Sequence, residues 1–154
     1  MDRNELARKF YKQARKMTVG MAMSVFAYGA IGFYLIGMDQ AGPAVMSAGA
    51  YPLLKYGALM VAILVAFAMR WVSTRILRVA QSGVSNPERH PQKLFVGMIV
   101  MSFGAEVAVL LGLILVFLGR QPYDYIPFAV VSLTGFAFAF PQKQKWSEWL
   151  GIDL

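Results

Sequence analysis

Residues 94–118 read LFVGMIVMSFGAEVAVLLGLILVFL, twenty-five residues that are apolar from end to end except for one carboxylate, Glu106, at the centre. About 20 apolar residues at 1.5 Å each cross the hydrocarbon core of a bilayer, so this stretch has the length and character of a membrane-spanning helix. Twelve residues of it lie on either side of Glu106, which places the acid near the bilayer midplane. A carboxylate there costs roughly 2.5–3.5 kcal/mol on insertion scales and is a functional-site hypothesis by default.

The rest of the chain has the same character. Of its 154 residues 58% are hydrophobic and 15% charged, with a mean hydropathy of +0.52. A soluble domain carries about 25% charged residues and interrupts its apolar runs far more often. The expectation is a single membrane domain, residues 1–154, with no room for a separate soluble module. A net charge of +7 would suit a nucleic-acid binder, but the charges sit in two blocks that flank apolar spans. That is the pattern of membrane topology, and nucleic acid is excluded as a partner. The first apolar run is too long for a cleavable signal and no A-x-A site follows it, so it reads as a retained span.

Four spans are expected, at about 17–37, 51–69, 94–118 and 125–140. The first is rich in small residues. Gly20 and Ser24 form a small-xxx-small pair, and Gly29 and Gly32 sit on a neighbouring face; such residues let helix backbones approach closely inside a bilayer. In the second, Ala58, Ala62 and Ala66 repeat every four residues, and Lys55 lies one turn in, where it can snorkel to the near interface. Gly104, Ala108 and Gly112 continue the small-residue pattern in the third. The fourth is short, with Tyr123, Tyr125 and Trp146 as interfacial anchors. Residues 1–16 place Leu6, Phe10 and Ala14 at helical spacing, and the tail 141–154 carries Trp146, Trp149, Leu150 and Ile152. Both read as amphipathic segments lying on the membrane surface. The fold class is therefore all-α: an integral membrane bundle of four transmembrane helices with surface-lying ends.

Charge sets the orientation. Residues 1–16 carry six Lys/Arg against two acids, and residues 70–93 carry five against one, +4 in each case. The loop at 38–50 holds only Asp39, and Arg120 balances Asp124 in 119–124. Positive segments stay inside, so both ends and the 70–93 segment face the cytoplasm, in what reads as a bacterial inner (plasma) membrane. Within that segment Ser85 and Glu88 have capping-box spacing, and Pro87 and Pro91 break the backbone pattern.

Glu106 alone qualifies as a site. The chain has no cysteine and one histidine, His90, in the central loop. Those two facts remove thiolate chemistry, most metal sites and a haem held between spans by histidines. No catalytic set, phosphate-binding loop or dinucleotide fingerprint is present, so neither enzyme activity nor a cofactor is expected. The ten methionines read as adaptable packing. Desolvation favours the neutral form of Glu106. A carboxyl so placed can exchange a proton as its surroundings alternate between wet and dry. It can equally act as polar glue to a neighbouring helix, with Ser24, Ser132 or Thr134 as partner. Lys55 stands roughly 10 Å or more away along the membrane normal at 1.5 Å per residue, too far for an obvious counter-ion.

Residues 52–118 combine a span, a basic loop with Asn86-Pro87-Glu88, then Lys93-Leu94-Phe95-Val96-Gly97-Met98, then Ala105-Glu106-Val107-Ala108 and an aliphatic run to Phe117. This hairpin resembles the proteolipid, or rotor-ring c subunit, of rotary ATP synthases. There two helices joined by a polar cytoplasmic loop carry a mid-helix carboxylate in the second. The resemblance implies that Glu106 takes the place of the ion-carrying acid. With Val107 following it, the implied ion is a proton, not sodium. The family's first helix has alternating glycines where this chain has Gly57 and the alanine repeat, and the first and fourth spans are additional. The ending FPQKQKWSEWL is similar to the C-termini of small four-span bacterial proteins described as proteolipid-like. The expected function is a proton-binding subunit working in a homo-oligomer. The alternative is a structural or accessory subunit of a larger respiratory or transport complex, with Glu106 as glue.

Overall fold

A computed structural model describes residues 3–38, 49–81 and 90–150; Asp39, Ser85, Asn86, Pro87, Glu88 and Ile152 lie outside the described residues. Among the described residues there are five α-helices: α1 Arg3–Gly37, α2 Tyr51–Gln81, α3 His90–Gly119, α4 Tyr125–Ala139 and α5 Lys143–Leu150, with a 3-10 turn at Pro122–Asp124 leading into α4. No strand occurs among the described residues. His90 is not in a loop but opens α3, with Pro91 in the first turn, where its missing N–H costs no hydrogen bond.

α1, α2 and α3 are each long and apolar enough to cross a membrane. α4 reaches that length only together with the turn before it and α5, from which it is bent by 41°. Alone, its 15 residues extend about 22 Å, short of a hydrocarbon core of about 30 Å. The outer surface suits lipid: Leu53 is 81% exposed, Phe67 68% and Phe26 60%. Contiguous exposure of this kind is foreign to soluble monomers.

α3 is the spine, packed by α1, α2 and α4, while α1 and α2 flank the α3–α4 pair. Glycine makes two of these approaches possible. A Cβ on Gly112 would stand 2.6 Å from that of Phe128 in α4, and one on Gly104 would stand 2.7 Å from Met69 in α2. Val96, Phe103, Leu110 and Ile114 are left exposed on one face of α3.

Both segments expected to lie on the membrane surface are tied into the helix packing. Residues 1–16 do not form a separate helix, because α1 runs unbroken through Lys16 and Met17. No Gly or Pro occurs before Gly20, and Thr18 Oγ1 donates to the Ala14 carbonyl at 3.1 Å across the junction. At 1.5 Å per residue the 35 residues extend about 52 Å, so a straight α1 carries its basic turns beyond the hydrocarbon layer. The tail forms α5, whose apolar side meets protein: Trp146 and Leu150 are buried with Ala7 and Ala14 of α1, Leu94 and Met98 of α3, and Ala139 of α4. The Tyr11 and Trp146 rings meet edge to face at 5.6 Å.

Candidate functional site

Glu106 lies on the side of α3 that faces α1. At about 100° per residue it sits roughly 60° round the helix from exposed Phe103, at the edge of the uncovered stripe. The residue is half-buried. Ser24 and Tyr28, one turn apart on α1, turn their hydroxyls toward the same carboxyl oxygen. Ser24 Oγ is 3.3 Å from Glu106 Oε1, and Tyr28 Oη is 3.5 Å from it. Both distances exceed the roughly 2.5–3.0 Å of a strong O–H···O bond, so the carboxyl is loosely held.

The Ser24 hydroxyl has a second acceptor, the Met21 carbonyl, at 2.6 Å. One hydroxyl carries one proton, and the shorter bond takes the larger share of it. With that proton on Met21, a Ser24 lone pair faces Glu106, and a protonated carboxyl can donate into it. Ser24 therefore offers the carboxyl an acceptor as well as a donor.

Of the partners expected for Glu106, the structure brings up Ser24 alone. Thr134 donates to Val130 of its own helix at 2.8 Å, and Ser132 is buried with its hydroxyl unpartnered among the described residues. Tyr28 was not expected. Its signal was the i, i+4 spacing from Ser24 on one face of α1.

The residues expected to pack helices are divided. Gly29 is covered by the Tyr125 ring and Gly104 by Met69, and Gly112 lies under Phe128. Ala62 and Ala108 are fully buried in a cluster with Tyr51, Leu115 and Phe128, with Ala58 packed against it. Ala66 lines a groove between α2 and α4. Gly20 faces open space.

A second polar cluster stands at the opposite end of the molecule from α5. Lys55 Nζ lies 2.6 Å from Asp124 Oδ1, and Tyr51 Oη donates to Asp124 Oδ2 at 2.5 Å. Tyr51 also reaches the Leu115 carbonyl at 3.3 Å. A Cβ on Gly119 would run into the Tyr51 ring, so the glycine makes room for the phenol. Asp124 is 6% exposed, and short bonds hold both of its oxygens. Lys55, expected to snorkel to the near interface, thus has its own acid. The available signal was that Lys55 and Asp124 are opposite charges at the same end of two adjacent spans.

Among the described residues no group of three or more His, Cys, Asp or Glu could hold a metal ion. Compared with protein-family models, curated proteins and solved structures, the chain matches none.

Proposed function

We propose that this chain is an integral membrane subunit of four spans, with both ends cytoplasmic, in which Glu106 binds and releases a proton within an oligomer. The observation that carries the proposal is the contrast between the two acids. Asp124 is clamped by a lysine and a phenol at 2.6 and 2.5 Å, whereas among the described residues Glu106 meets only hydroxyls, at 3.3 and 3.5 Å. A carboxyl kept as an anion for structural reasons is surrounded as Asp124 is. Among the described residues Glu106 has no cation beside it; it lies next to an uncovered stripe and has a hydroxyl that can accept as well as donate.

The charge distribution supports the orientation. The basic turns of α1, Arg70 and Arg75 of α2, Lys93 of α3 and the lysines of α5 gather at one end, and Lys55 pairs internally at the other. The antiparallel α2–α3 pair supports a likeness to the rotor proteolipid hairpin, with α1 and α4 as additional cover.

A second reading rests on the contact between α1 and α3. Through Ser24 and Tyr28, Glu106 could simply tie these helices together inside a larger complex. Reaction with an apolar carbodiimide in native membranes separates the two, since the reagent attacks a protonated, reachable carboxyl. Glu106 is expected to react and Asp124 to stay unmodified; a Glu106 inert across the pH range would overturn proton exchange. Glu106→Gln should leave the fold intact, because the amide still bonds both hydroxyls, while abolishing proton uptake in reconstituted vesicles. Migration as a closed homomeric ring in mild detergent supports the rotor-like form.

A further inference from the structure

A groove of 360 Å³ runs between α2 and α4 on the flank away from Glu106. Ala66 and Phe67 form one wall, Val130 and Gly135 the other, and Met101 and Ala105 of α3 the floor. From Val130 to Phe138 it extends about 12 Å at 1.5 Å per residue. Its volume falls within the roughly 300–1,000 Å³ of small-molecule sites. Thr134 in the lining spends its proton on the Val130 carbonyl, so the interior offers an occupant almost nothing but hydrocarbon.

One end differs. Arg70 lines the groove there, with its guanidinium stacked on the Phe138 ring at 4.2 Å. The ring contact holds the guanidinium at the end of the groove, and a guanidinium can bind a phosphate through two parallel hydrogen bonds. Among the described residues no carboxylate pairs with Arg70. This is also the end at which the chain's positive charge collects. An apolar slot with a guanidinium at one end matches a molecule with a hydrocarbon tail and an anionic head.

We propose that this groove is a binding site for an anionic phospholipid, one acyl chain lying between α2 and α4 and the phosphate on Arg70. The site rests on the membrane reading given above but is independent of proton exchange at Glu106.

The test uses the full chain in bilayer discs of phosphatidylcholine with an equal share of phosphatidylglycerol, with retained lipid counted by native mass spectrometry. The wild type is expected to keep one phosphatidylglycerol with a preference of about fivefold, the contribution of one interfacial arginine. Arg70→Gln should lose the preference and still keep a lipid. Ala66→Phe, which fills the slot, should keep neither. Arg75→Gln, whose arginine stacks on Trp71 at 3.7 Å and does not line the groove, should behave as wild type. Equal retention of the two lipids by the wild type overturns the proposal. So does a preference that Arg75→Gln abolishes as fully as Arg70→Gln, or a second copy of the chain displaced by Ala66→Phe in place of a lipid. Release of the chain from membranes by alkaline carbonate would sink the membrane reading itself; firm retention with no lipid preference sinks only this site.

Discussion

Asp124, the last residue before α4, is joined to Lys55 of α2 by a 2.6 Å ion pair, although the two stand 69 positions apart in the chain. With Tyr51 on its other oxygen, Asp124 ties the start of α2 to the turn between α3 and α4. Lys55 is about one-quarter exposed and Asp124 8% exposed at the side chain, so the pair is partly sheltered from water.

Asp124→Asn removes the charge that both partners need and leaves Lys55 uncompensated. The expected cost is about 1–3 kcal/mol, below that of a fully buried pair because solvent reaches the lysine. Lys55→Met should cost less, since the bond from Tyr51 survives it. Unfolding midpoints of detergent-solubilised protein in a dodecyl sulfate titration give both values, and equal losses would count against Tyr51 as an independent support.

Gly112 and Gly20 make a matched comparison. In Gly112→Ala the new methyl must displace Phe128, at about 1–3 kcal/mol for overpacking. Gly20→Ala adds its methyl to open space, where replacing glycine inside a helix is worth up to about 1 kcal/mol of stabilisation. The same titration should move in opposite directions for the two variants. Movement in the same direction would mean that the α3–α4 approach at Phe128 is looser than described.

Ser24→Ala and Tyr28→Phe each remove one long contact to Glu106. Each should cost under about 1 kcal/mol, in line with interhelical bonds averaging about 0.6 kcal/mol in membrane proteins. Their consequence for carbodiimide labelling is larger. With Ser24 gone the neutral acid loses its acceptor, and the labelling rate of Glu106 should change while that of the remaining carboxylates does not. An unchanged rate in the double variant would remove both hydroxyls from any account of the site.

Trp146→Ala opens a cavity among Ala7, Ala14, Leu94 and Met98. Emptying an aromatic site of this kind costs about 3–5 kcal/mol, enough to release α5 from α1. Limited proteolysis should then cut within 140–150 in the variant and spare the wild type. Equal resistance would show that α5 is held by something besides this cluster.

The main helices were readable because long apolar runs leave a chain no other inexpensive structure. Glu106 was readable because a lone acid in such a run is costly, and Ser24 because small residues mark the face that meets protein. The remainder was hidden for particular reasons. Lys55, Tyr51 and Asp124 are brought together by how α2 and α4 pack on α3, and no periodicity links positions 69 and 73 apart. The unbroken α1 was missed because the switch from charged to apolar side chains at Lys16 and Met17 looks like a boundary. Backbone hydrogen bonding is indifferent to that switch. The apolar side of α5 has the same sequence pattern whether lipid or Ala7 covers it. The helix α4 was read at nearly its observed length, but its bend into α5 depends on Phe140, which adopts an extended backbone at φ −61° and ψ 124°.

The packing of α5 on α1 also fixes an order of events during synthesis. Ala7 leaves the ribosome some 140 residues before Trp146 and Leu150, the side chains that cover it. At roughly 5–20 residues per second that interval is on the order of ten seconds. Throughout it the basic turns of α1 lack the cover that Trp146 and Leu150 supply. Completion of this cluster waits for α5, so a nascent chain stalled after α4 would present those turns uncovered to chaperones or to its neighbours, and one with α5 clear of the ribosome would not.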